Sequence, residues 1–268
     1  MRINFDKMEG AGNDFILIDN RDGGIGDGDK AGLAAGGCRR NFGVGADGMV
    51  FLEKDPELDF AWDFFNSDGS RAEMCGNAAR CAARFAVKIG AAGSRMTFRT
   101  LAGPVRAELT PAGARIGLPD ARCPEAAETV ETGAGKVELW AIDSGVPHAV
   151  ILAKDLKGVE VKRLGREIRR HPRFAPAGTN VDFISPREGN RLAIRTYERG
   201  VEDETLACGT GCVAAAVTAG RFLDFASPVC LEAKGGELEV RFTLAEGRAT
   251  GIELEGGARL VFSGAFEA

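Results

Sequence analysis

The fold is decided by two stretches, Asn66-Ser-Asp-Gly-Ser-Arg-Ala-Glu-Met-Cys75-Gly-Asn-Ala-Ala-Arg-Cys81 and Glu198-Arg-Gly-Val-Glu-Asp-Glu-Thr-Leu-Ala-Cys208-Gly-Thr-Gly-Cys212. Each begins with a polar residue, passes through an acidic turn, reaches Cys-Gly and continues into an Ala-rich segment. Cys75 and Cys208 lie 133 residues apart, about half of the 268-residue chain. A repeat of this length predicts two similar lobes rather than a stack of short units.

Two further pairs of segments support the duplication. Gly10-Ala-Gly-Asn13 matches Ser144-Gly-Val-Pro-His148 at an offset of 135 residues, and Gly45-Ala-Asp-Gly matches Gly178-Thr-Asn180-Val more loosely. The Pro-, Ala- and Glu-rich segment 119–132 is typical of a boundary. We therefore expect an N-terminal lobe of residues 1–122 that carries Cys75 and a C-terminal lobe of residues 123–268 that carries Cys208. The last strand is allowed to pack back on the first lobe.

Short apolar runs with few helices between them predict strands in mainly antiparallel sheets. These runs begin at Phe15, Met49, Ala61, Met96, Ala149, Leu192 and Glu237. The clearest helical patterns cover 77–88 and 211–222, and their small residues suit helices that are buried on all sides. The expected fold is α/β (α+β), with two pseudo-symmetric lobes, each a mainly antiparallel barrel-like sheet around a central helix.

Composition narrows the possible partners. The chain is 44% hydrophobic and 27% charged, with a net charge of −5, which argues against a nucleic-acid partner. No apolar run approaches the roughly 18–20 residues of a membrane span, and the first residues lack the apolar core of a signal peptide. We expect no membrane partner and a cytoplasmic location.

The seven cysteines are an odd number at irregular spacings, which argues against a disulfide framework. Only two histidines, His148 and His171, are present, and no paired CxxC knuckles occur, so no metal site is expected. A non-enzymatic thiol protein, either a redox sensor or a zinc binder, remains an alternative at this point. Cys81 and Cys212 fall inside the predicted helices and are assigned to packing.

Cys75 and Cys208 each precede a glycine and a predicted helix. Unpaired N–H groups and the positive end of the helix dipole are expected to lower the pKa of a thiol there. Such a group can act as a general acid or a general base. Two of them in matching places would suit inversion of a carbon, in which one removes a proton and the other delivers a proton from the far side.

The same helix N-termini predict an anion site. Backbone donors could hold an α-carboxylate and spread the charge of a carbanion; they belong to Gly76, Asn77, Gly209 and Thr210. No lysine has a convincing Schiff-base setting, so no cofactor is expected. A structural role is the competing interpretation for several residues: packing for a cysteine, turns for Asn13, Asn66, Asn180 and His148, and a surface ion pair for Glu198 and Arg199.

Over essentially its whole length the chain resembles the diaminopimelate epimerases. The matching blocks are Lys7-Met-Glu-Gly-Ala-Gly-Asn13-Asp-Phe, Gly43-Val-Gly-Ala-Asp-Gly48, Phe65-Asn66-Ser-Asp-Gly-Ser, Met74-Cys75-Gly-Asn77-Ala-Ala-Arg-Cys81, Gly145-Val-Pro-His148, Gly178-Thr-Asn180-Val-Asp-Phe, Tyr197-Glu198-Arg199-Gly and Ala207-Cys208-Gly-Thr-Gly211. Together, in this order and spacing, they are highly specific.

The resemblance implies interconversion of LL- and meso-diaminopimelate, in lysine and peptidoglycan precursor synthesis, without pyridoxal phosphate or metal. It implies that Cys75 and Cys208 are the acid–base pair and that His148 and Glu198 tune the two thiols. Implied substrate contacts are Asn13, Asn66, Asn180, Glu198 and Arg199, with Gly76, Asn77, Gly209 and Thr210 on the reacting carboxylate. A homodimer is also implied, with Phe262 as the aromatic residue in its contact.

Three positions depart from the family pattern. Many members have Asn where this chain has Val146, Gln where it has Gly48, and Gly where it has Ala78. The first two departures remove polar side chains that would address the substrate. A cofactor-independent racemase of another amino acid, in the same superfamily, is therefore the alternative to a diaminopimelate epimerase.

Overall fold

The structure is a computed structural model of the chain, and it describes residues 1–267. The chain divides into two compact units. Unit 1 is Met1–Gly117 together with the C-terminal segment from Glu255, and unit 2 is Leu118–Leu254. The last strand thus belongs to unit 1, and the predicted lobes 1–122 and 123–268 stay a prediction.

Strands dominate the described residues. From the N-terminus the elements are β1 (Arg2–Gly10), β2 (Asn13–Asp19), α1 (Asp27–Gly37), β3 (Gly48–Glu53), β4 (Phe60–Asn66), α2 (Gly76–Lys88), β5 (Arg95–Thr100), β6 (Gly103–Thr110) and β7 (Gly113–Gly117). There follow β8 (Ala121–Arg122), β9 (Glu128–Thr132), β10 (Gly135–Asp143), β11 (Pro147–Leu152), α3 (Val161–Arg169), β12 (Asn180–Arg187), β13 (Arg191–Glu198), β14 (Asp203–Thr205), α4 (Gly209–Phe222), β15 (Val229–Ala233), β16 (Gly236–Ala245), β17 (Arg248–Gly256) and β18 (Arg259–Glu267). A short 3-10 helix covers Pro172–Phe174.

Both units repeat one pattern of strand pairing. In unit 1, β2 pairs antiparallel with β1 and parallel with β3, and β4 pairs antiparallel with β3 and parallel with β5. In unit 2, β11 pairs antiparallel with β10 and parallel with β12, and β13 pairs antiparallel with β12 and parallel with β15. The duplicated sequence therefore folds into a duplicated topology.

The parallel strand pairs explain the four α-helices of residues 1–267. A parallel pair needs a crossover connection, which is usually helical, whereas an antiparallel pair can use a tight turn. Accordingly α1, α2, α3 and α4 each lie between two strands that pair in parallel. The sequence predicted α2 and α4, but α1 and α3 were missed because they are short and Gly- or Arg-rich.

The predicted central helices are present. Helix α2 is buried along nearly its whole length and packs on β1, β2, β6 and β7, and α4 packs in the same way on β10, β11, β12 and β16. Small side chains at positions such as Ala82 and Ala215 let the surrounding strands approach closely. The predicted mixed α/β architecture is confirmed, with a closed eight-stranded barrel as part of it.

The apolar cores follow the alternation of the strands. One cluster packs β1, β2 and β3 under α1 and includes Phe5, Ile16 and Phe51. The matching cluster in unit 2 packs β11, β12 and β13 under α3 and includes Phe183 and Tyr197. No helix within residues 1–267 has both the length and the apolar character needed to cross a membrane.

Candidate active site

In unit 2, Cys208 is the N-cap residue of α4. Its backbone is extended, with φ −120° and ψ 114°, and its carbonyl accepts the helical hydrogen bond of Cys212 at 2.9 Å. Only 8% of the residue is exposed. The prediction that the Cys208 thiol lies at a helix N-terminus is therefore confirmed.

The protonation of Cys208 differs from our expectation. Burial raises the pKa of the Cys208 thiol well above its usual value, and the nearby carboxylates of Glu198 and Asp182 raise it further. The Thr210 hydroxyl and the Gly211 backbone N–H act in the opposite direction but do not compensate. The predicted lowering was wrong because loss of hydration outweighs the helix terminus when a thiolate is this deeply buried.

A chain of polar contacts leads away from Cys208. Its Sγ lies 3.4 Å from Thr210 Oγ1, which lies 3.0 Å from Nε2 of His148. The other ring nitrogen of His148, Nδ1, lies 2.6 Å from Oδ2 of Asp182, whose Oδ1 accepts a hydrogen bond from Thr196 Oγ1 at 2.7 Å. His148 and Asp182 are 1% and 0% exposed, so the chain is shielded from water.

Strand register brings these groups together. In the parallel pairing of β11 with β12, His148 lies beside Asn180, and alternation along β12 puts Asn180 and Asp182 on one face. The Asn180 Nδ2 lies 3.4 Å from His148 Nε2 and also donates to the Pro147 carbonyl at 3.2 Å. The backbone N–H of Arg199 donates to Asn180 Oδ1 at 2.8 Å, which fixes the orientation of the amide.

Glu198 ends β13, directly before Arg199, and is partly buried. Burial raises the pKa of the Glu198 carboxyl, and the neighbouring Asp182 raises it further. The structure therefore brings together, within unit 2, the predicted residues Cys208, Gly209, Thr210, His148, Asn180, Glu198 and Arg199.

In unit 1, Cys75 is the N-cap residue of α2. Its backbone is extended, with φ −145° and ψ 120°, and its carbonyl accepts the helical hydrogen bond of Ala79 at 2.9 Å. The side chain is only partly buried, in contrast to that of Cys208. Gly76 opens the helix, and its carbonyl accepts a hydrogen bond from Arg80 at 3.3 Å.

A chain of amides lies behind the start of α2. Asn77 accepts from the fully buried Arg80 at 2.8 Å and donates to Asn13 Oδ1 at 2.5 Å. Asn13 in turn donates through Nδ2 to Asp47 Oδ2 at 3.0 Å. Each amide therefore has one defined orientation, from the guanidinium at one end to the carboxylate at the other.

Charged groups surround this chain. Asp14 pairs with Lys7 at 2.8 Å and with Arg40 at 2.8 Å, and Arg40 also reaches Asp47 at 3.0 Å. Burial alone would raise the pKa of the Asp14 carboxyl, but Arg40 and Lys7 hold it below its usual value. Because Lys7 is buried, its pair with Asp14 ties β1 to β2 beside Asn13.

Asn66 lies apart from the amide chain, at the end of β4. Its Nδ2 donates to Ser70 Oγ at 2.9 Å, and its backbone pairs with Ser70 in the turn that leads to Cys75. Across β3, Gly48 is opposite Asn66. A Cβ at Gly48 would lie 2.6 Å from the Phe64 ring. The Phe64 ring therefore occupies the space that a side chain at position 48 would need.

Sequence reasoning missed Asp47, Asp182, Arg80 and Thr196. Asp47 and Asp182 stand inside two of the quoted blocks, and the spacing Asn180-Val-Asp182 was a usable signal, since residues two apart on a strand share a face. Arg80 also stands inside a quoted block, but no pattern there indicated its contact with Asn77, and nothing in the sequence singled out Thr196. Phe262 lies on β18, is 47% exposed and packs edge-on against Phe5 at 5.8 Å.

Within residues 1–267 none of the seven cysteines forms a disulfide, and no group of three or more His, Cys, Asp or Glu residues is arranged to hold a metal ion. The polar groups at the two helix N-termini are thiols, amides, a hydroxyl, an imidazole and carboxylates. Such a set can transfer protons and bind an anion.

Comparison with known proteins gives the family. The sequence profile of diaminopimelate epimerase matches residues 5–121 and 140–261. A diaminopimelate epimerase of Aquifex aeolicus (strain VF5) is 44% identical over 80% of both chains, and one of Archaeoglobus fulgidus is 41% identical over 98% of this chain and 96% of the other. In fold the chain is similar to a phenazine biosynthesis protein of the PhzF family from Bacillus anthracis, with a TM-score of 0.75 at 15% identity over 100% of both chains. The chain belongs to the diaminopimelate epimerase family.

Proposed function

We propose that this protein interconverts LL- and meso-diaminopimelate by transferring the α-proton between substrate and two cysteines, Cys75 and Cys208. The observation that carries the proposal is the placement of both cysteines, in a chain of this family, as N-cap residues of matching helices. Membership in an epimerase family rejects the non-enzymatic thiol alternative.

The proposed reaction has two proton transfers. One sulfur, as a thiolate, removes the α-proton, and the other, as a thiol, delivers a proton to the opposite face of the resulting carbanion. Burial and two carboxylates favour the protonated form of Cys208. Cys208 is therefore suited to be the acid at rest, and Cys75 the base in that direction.

Carbanion formation at neutral pH requires strong stabilisation of negative charge. We assign this role to the first backbone N–H groups of α2 and α4, at Gly76, Asn77, Gly209 and Thr210. These donors are not used by helical hydrogen bonds, so they are free to bind the α-carboxylate. No cofactor is required in this scheme.

Contacts with the rest of the substrate are assigned to Asn13, Asn66, Asn180, Glu198 and Arg199. Arg199 supplies a guanidinium suited to a distal carboxylate, and the amides and Glu198 suit the amino groups. A homodimer with Phe262 in its contact, a cytoplasmic location and a role in lysine and peptidoglycan precursor synthesis belong to the same proposal. The exposed ring of Phe262 supports its part in such a contact.

An exchange experiment tests the reaction. Reduced, metal-free protein incubated with diaminopimelate in deuterated water should introduce deuterium at the α-carbon while LL and meso forms equilibrate, as followed by NMR. Cys75→Ala protein is the control for background exchange. If the wild-type protein exchanges neither stereoisomer above that background, the proposal is wrong.

One observation favours a second candidate. The Phe64 ring occupies the space beside Gly48, and Val146 offers no polar side chain. A racemase that acts on another, more apolar amino acid would fit these two positions. The same exchange assay with a panel of amino acids decides, and preference for diaminopimelate rejects this candidate.

A further inference from the structure

We propose that Asp182 is a positioning residue that sets the tautomer of His148, so that the imidazole receives the proton of the Cys208 thiol through the Thr210 hydroxyl. This inference rests on the proposed function, because it concerns how Cys208 becomes a thiolate. It assigns a role to Asp182 and Thr196, and makes Thr210 a proton carrier as well as an anion-binding residue.

The carboxylate of Asp182 determines the proton on one ring nitrogen. Both of its oxygens are engaged, Oδ1 by the Thr196 hydroxyl at 2.7 Å and Oδ2 by His148 Nδ1 at 2.6 Å. A carboxylate only accepts hydrogen bonds, so Nδ1 of His148 must carry the proton. In the neutral ring, Nε2 then presents a lone pair.

The Asn180 amide gives independent support. Its Oδ1 accepts from the backbone N–H of Arg199, so its Nδ2 is the end that lies 3.4 Å from His148 Nε2. An amide NH₂ group can only donate. Asp182 and Asn180 therefore both require Nε2 of His148 to be an acceptor.

The direction of the remaining contacts follows. Since Nε2 of His148 accepts, Thr210 must donate its hydroxyl proton to it at 3.0 Å. The oxygen of Thr210 is then free to accept from the Cys208 S–H at 3.4 Å. Every hydrogen bond from Cys208 to Asp182 points the same way.

This arrangement supports a balanced proton transfer. The S–H bond of Cys208 breaks as its proton joins the Thr210 oxygen, and the original hydroxyl proton of Thr210 forms an N–H bond at Nε2. The products are a Cys208 thiolate, an unchanged Thr210 and an imidazolium at His148. The negative Asp182, 2.6 Å from Nδ1, stabilises that cation.

The proton transfer to His148 offsets an unfavourable interaction at Cys208. Glu198 and Asp182 both oppose negative charge on Cys208. A cation that forms at His148 at the same moment offsets that repulsion, since charge is separated within the buried cluster and not imported from water. Cys208 can thereby serve as the base in one direction and as the acid in the other.

The start of α4 is shaped to keep Asp182 in place. A Cβ at Gly211 would lie 2.5 Å from Asp182 Oδ1. Glycine at this helical position therefore lets the helix N-terminus approach the carboxylate closely. The Cys-Gly-Thr-Gly sequence thus supplies the thiol, the proton carrier and the space for the positioning group.

NMR of ¹⁵N-histidine-labelled protein tests the tautomer directly. The chain has two histidines, so a His171→Gln variant assigns the His148 signals. We expect the Nδ1–H tautomer in the wild-type protein. In Asp182→Asn, Thr196 should hold the new carbonyl oxygen and turn the NH₂ group towards Nδ1, which moves the ring to the Nε2–H tautomer.

An Nε2–H tautomer in the wild-type protein would overturn the proposal, and so would an Asp182→Asn spectrum that is unchanged. The wild-type spectrum stands as a test even if the variant does not fold. It needs no substrate, so it is separate from the proposed function. If the wild-type protein has the expected tautomer but does not exchange the α-proton of diaminopimelate, the proposed function is wrong and the role of Asp182 in setting the tautomer still holds.

Activity measurements test the proton carrier. With the wrong tautomer, Asp182→Asn should lower kcat by about 10²–10⁴-fold, as in the serine protease triad when its aspartate becomes asparagine. Thr210→Val should lower kcat by about 10²-fold, and Thr210→Ser should recover activity to within about tenfold because it keeps the hydroxyl. Equal activity of the Val and Ser variants would overturn the role of Thr210.

Discussion

The N-termini of α2 and α4 begin with the same Cys-Gly pair, but the groups behind the two cysteines differ in what they can do with a proton. Behind Cys75 stands a chain of two amides, Asn77 and Asn13, that ends on Asp47. Behind Cys208 stand a hydroxyl and an imidazole, Thr210 and His148, that end on Asp182.

The two chains occupy matching places in the duplicated halves. Asn13 and His148 are related by the sequence repeat, and each begins or nearly begins the strand that pairs in parallel with the next. An amide can orient its neighbours but cannot gain or lose a proton near neutral pH, whereas imidazole can do both. The amides of unit 1 thus only orient their neighbours, whereas His148 of unit 2 can also accept and release a proton.

The surroundings of the cysteines differ in the same sense. The amide chain of unit 1 lies beside the cations Lys7, Arg40 and Arg80. In unit 2, Cys208 lies beside the carboxylates of Glu198 and Asp182 and is nearly sealed from water. The repeated scaffold therefore places cations near the amide chain of unit 1 and carboxylates near Cys208 in unit 2.

The largest expected effect is the loss of either thiol. Cys75→Ala and Cys208→Ala should each lower the rate of epimerisation by at least about 10²–10⁴-fold, because each removes one proton-transfer group. The readout is the interconversion of LL and meso forms. Cys81→Ala is the matched control, since this buried thiol, whose pKa burial raises to about 12, packs inside α2. Comparable losses in all three variants would mean that the cysteines matter only for folding.

Replacing the imidazole by an amide should make unit 2 resemble unit 1. His148→Asn keeps an amide nitrogen near the position of Nδ1, so it can still donate to Asp182, but it cannot carry a proton. We expect kcat to fall by about 10²-fold with little change in the melting temperature. Full activity in this variant would show that catalysis does not depend on having an imidazole, rather than an amide, in the series of hydrogen-bonded groups behind Cys208.

Alkylation should distinguish the two thiols directly. The thiolate is the reactive form, and burial raises the pKa of Cys208 while Cys75 is only partly buried. With iodoacetamide at pH 7.5 and no substrate, Cys75 should be labelled at least about tenfold faster than Cys208, as measured by peptide mass spectrometry. Cys230, also partly buried, serves as an internal reference away from the helix N-termini. Faster labelling of Cys208 would contradict the assigned tendencies.

The smallest expected effect concerns stability. Burial raises the pKa of Glu198, so the folded protein keeps a proton that the unfolded chain has lost. The free energy of unfolding should therefore fall as pH rises from the usual glutamate pKa towards the raised one. Glu198→Gln should remove this fall and melt a few degrees higher than wild type at pH 7.5, and the two should converge near pH 4. Calorimetry across this range checks it, with loss of activity as the expected accompaniment.

Much of this site could be predicted from the sequence. A cysteine before glycine and an Ala-rich run marks a helix start, and its recurrence after half the chain marks a duplicated fold. The strands that were predicted from apolar runs are present, because alternation is a local property. Helices α1 and α3 were missed because they are short and Gly- or Arg-rich, so their local patterns are weak. The parallel pairings that require a crossover there are visible only in the fold.

The contact between Asp182 and His148 could not be predicted from the sequence. The spacing of Asp182 from Asn180 was visible, but the contact with His148 depends on the parallel register of β11 with β12, which no local pattern specifies. The same holds for Thr196, which reaches Asp182 from the antiparallel neighbour β13. Both roles arise from pairing between strands, so they became visible only in the fold.

Residue order was enough to place two cysteines at the starts of two equivalent helices, because the signals for a helix start are local. The raised pKa of Cys208, in contrast, follows from contacts that form only when unit 2 folds. Dipole and N–H groups belong to the helix and travel with the sequence, but the hydration lost by Cys208 and the carboxylates placed beside it come from packing of the whole of unit 2. Charge on a sulfur depends on everything that surrounds it, and for that reason the position was predictable while the protonation was not.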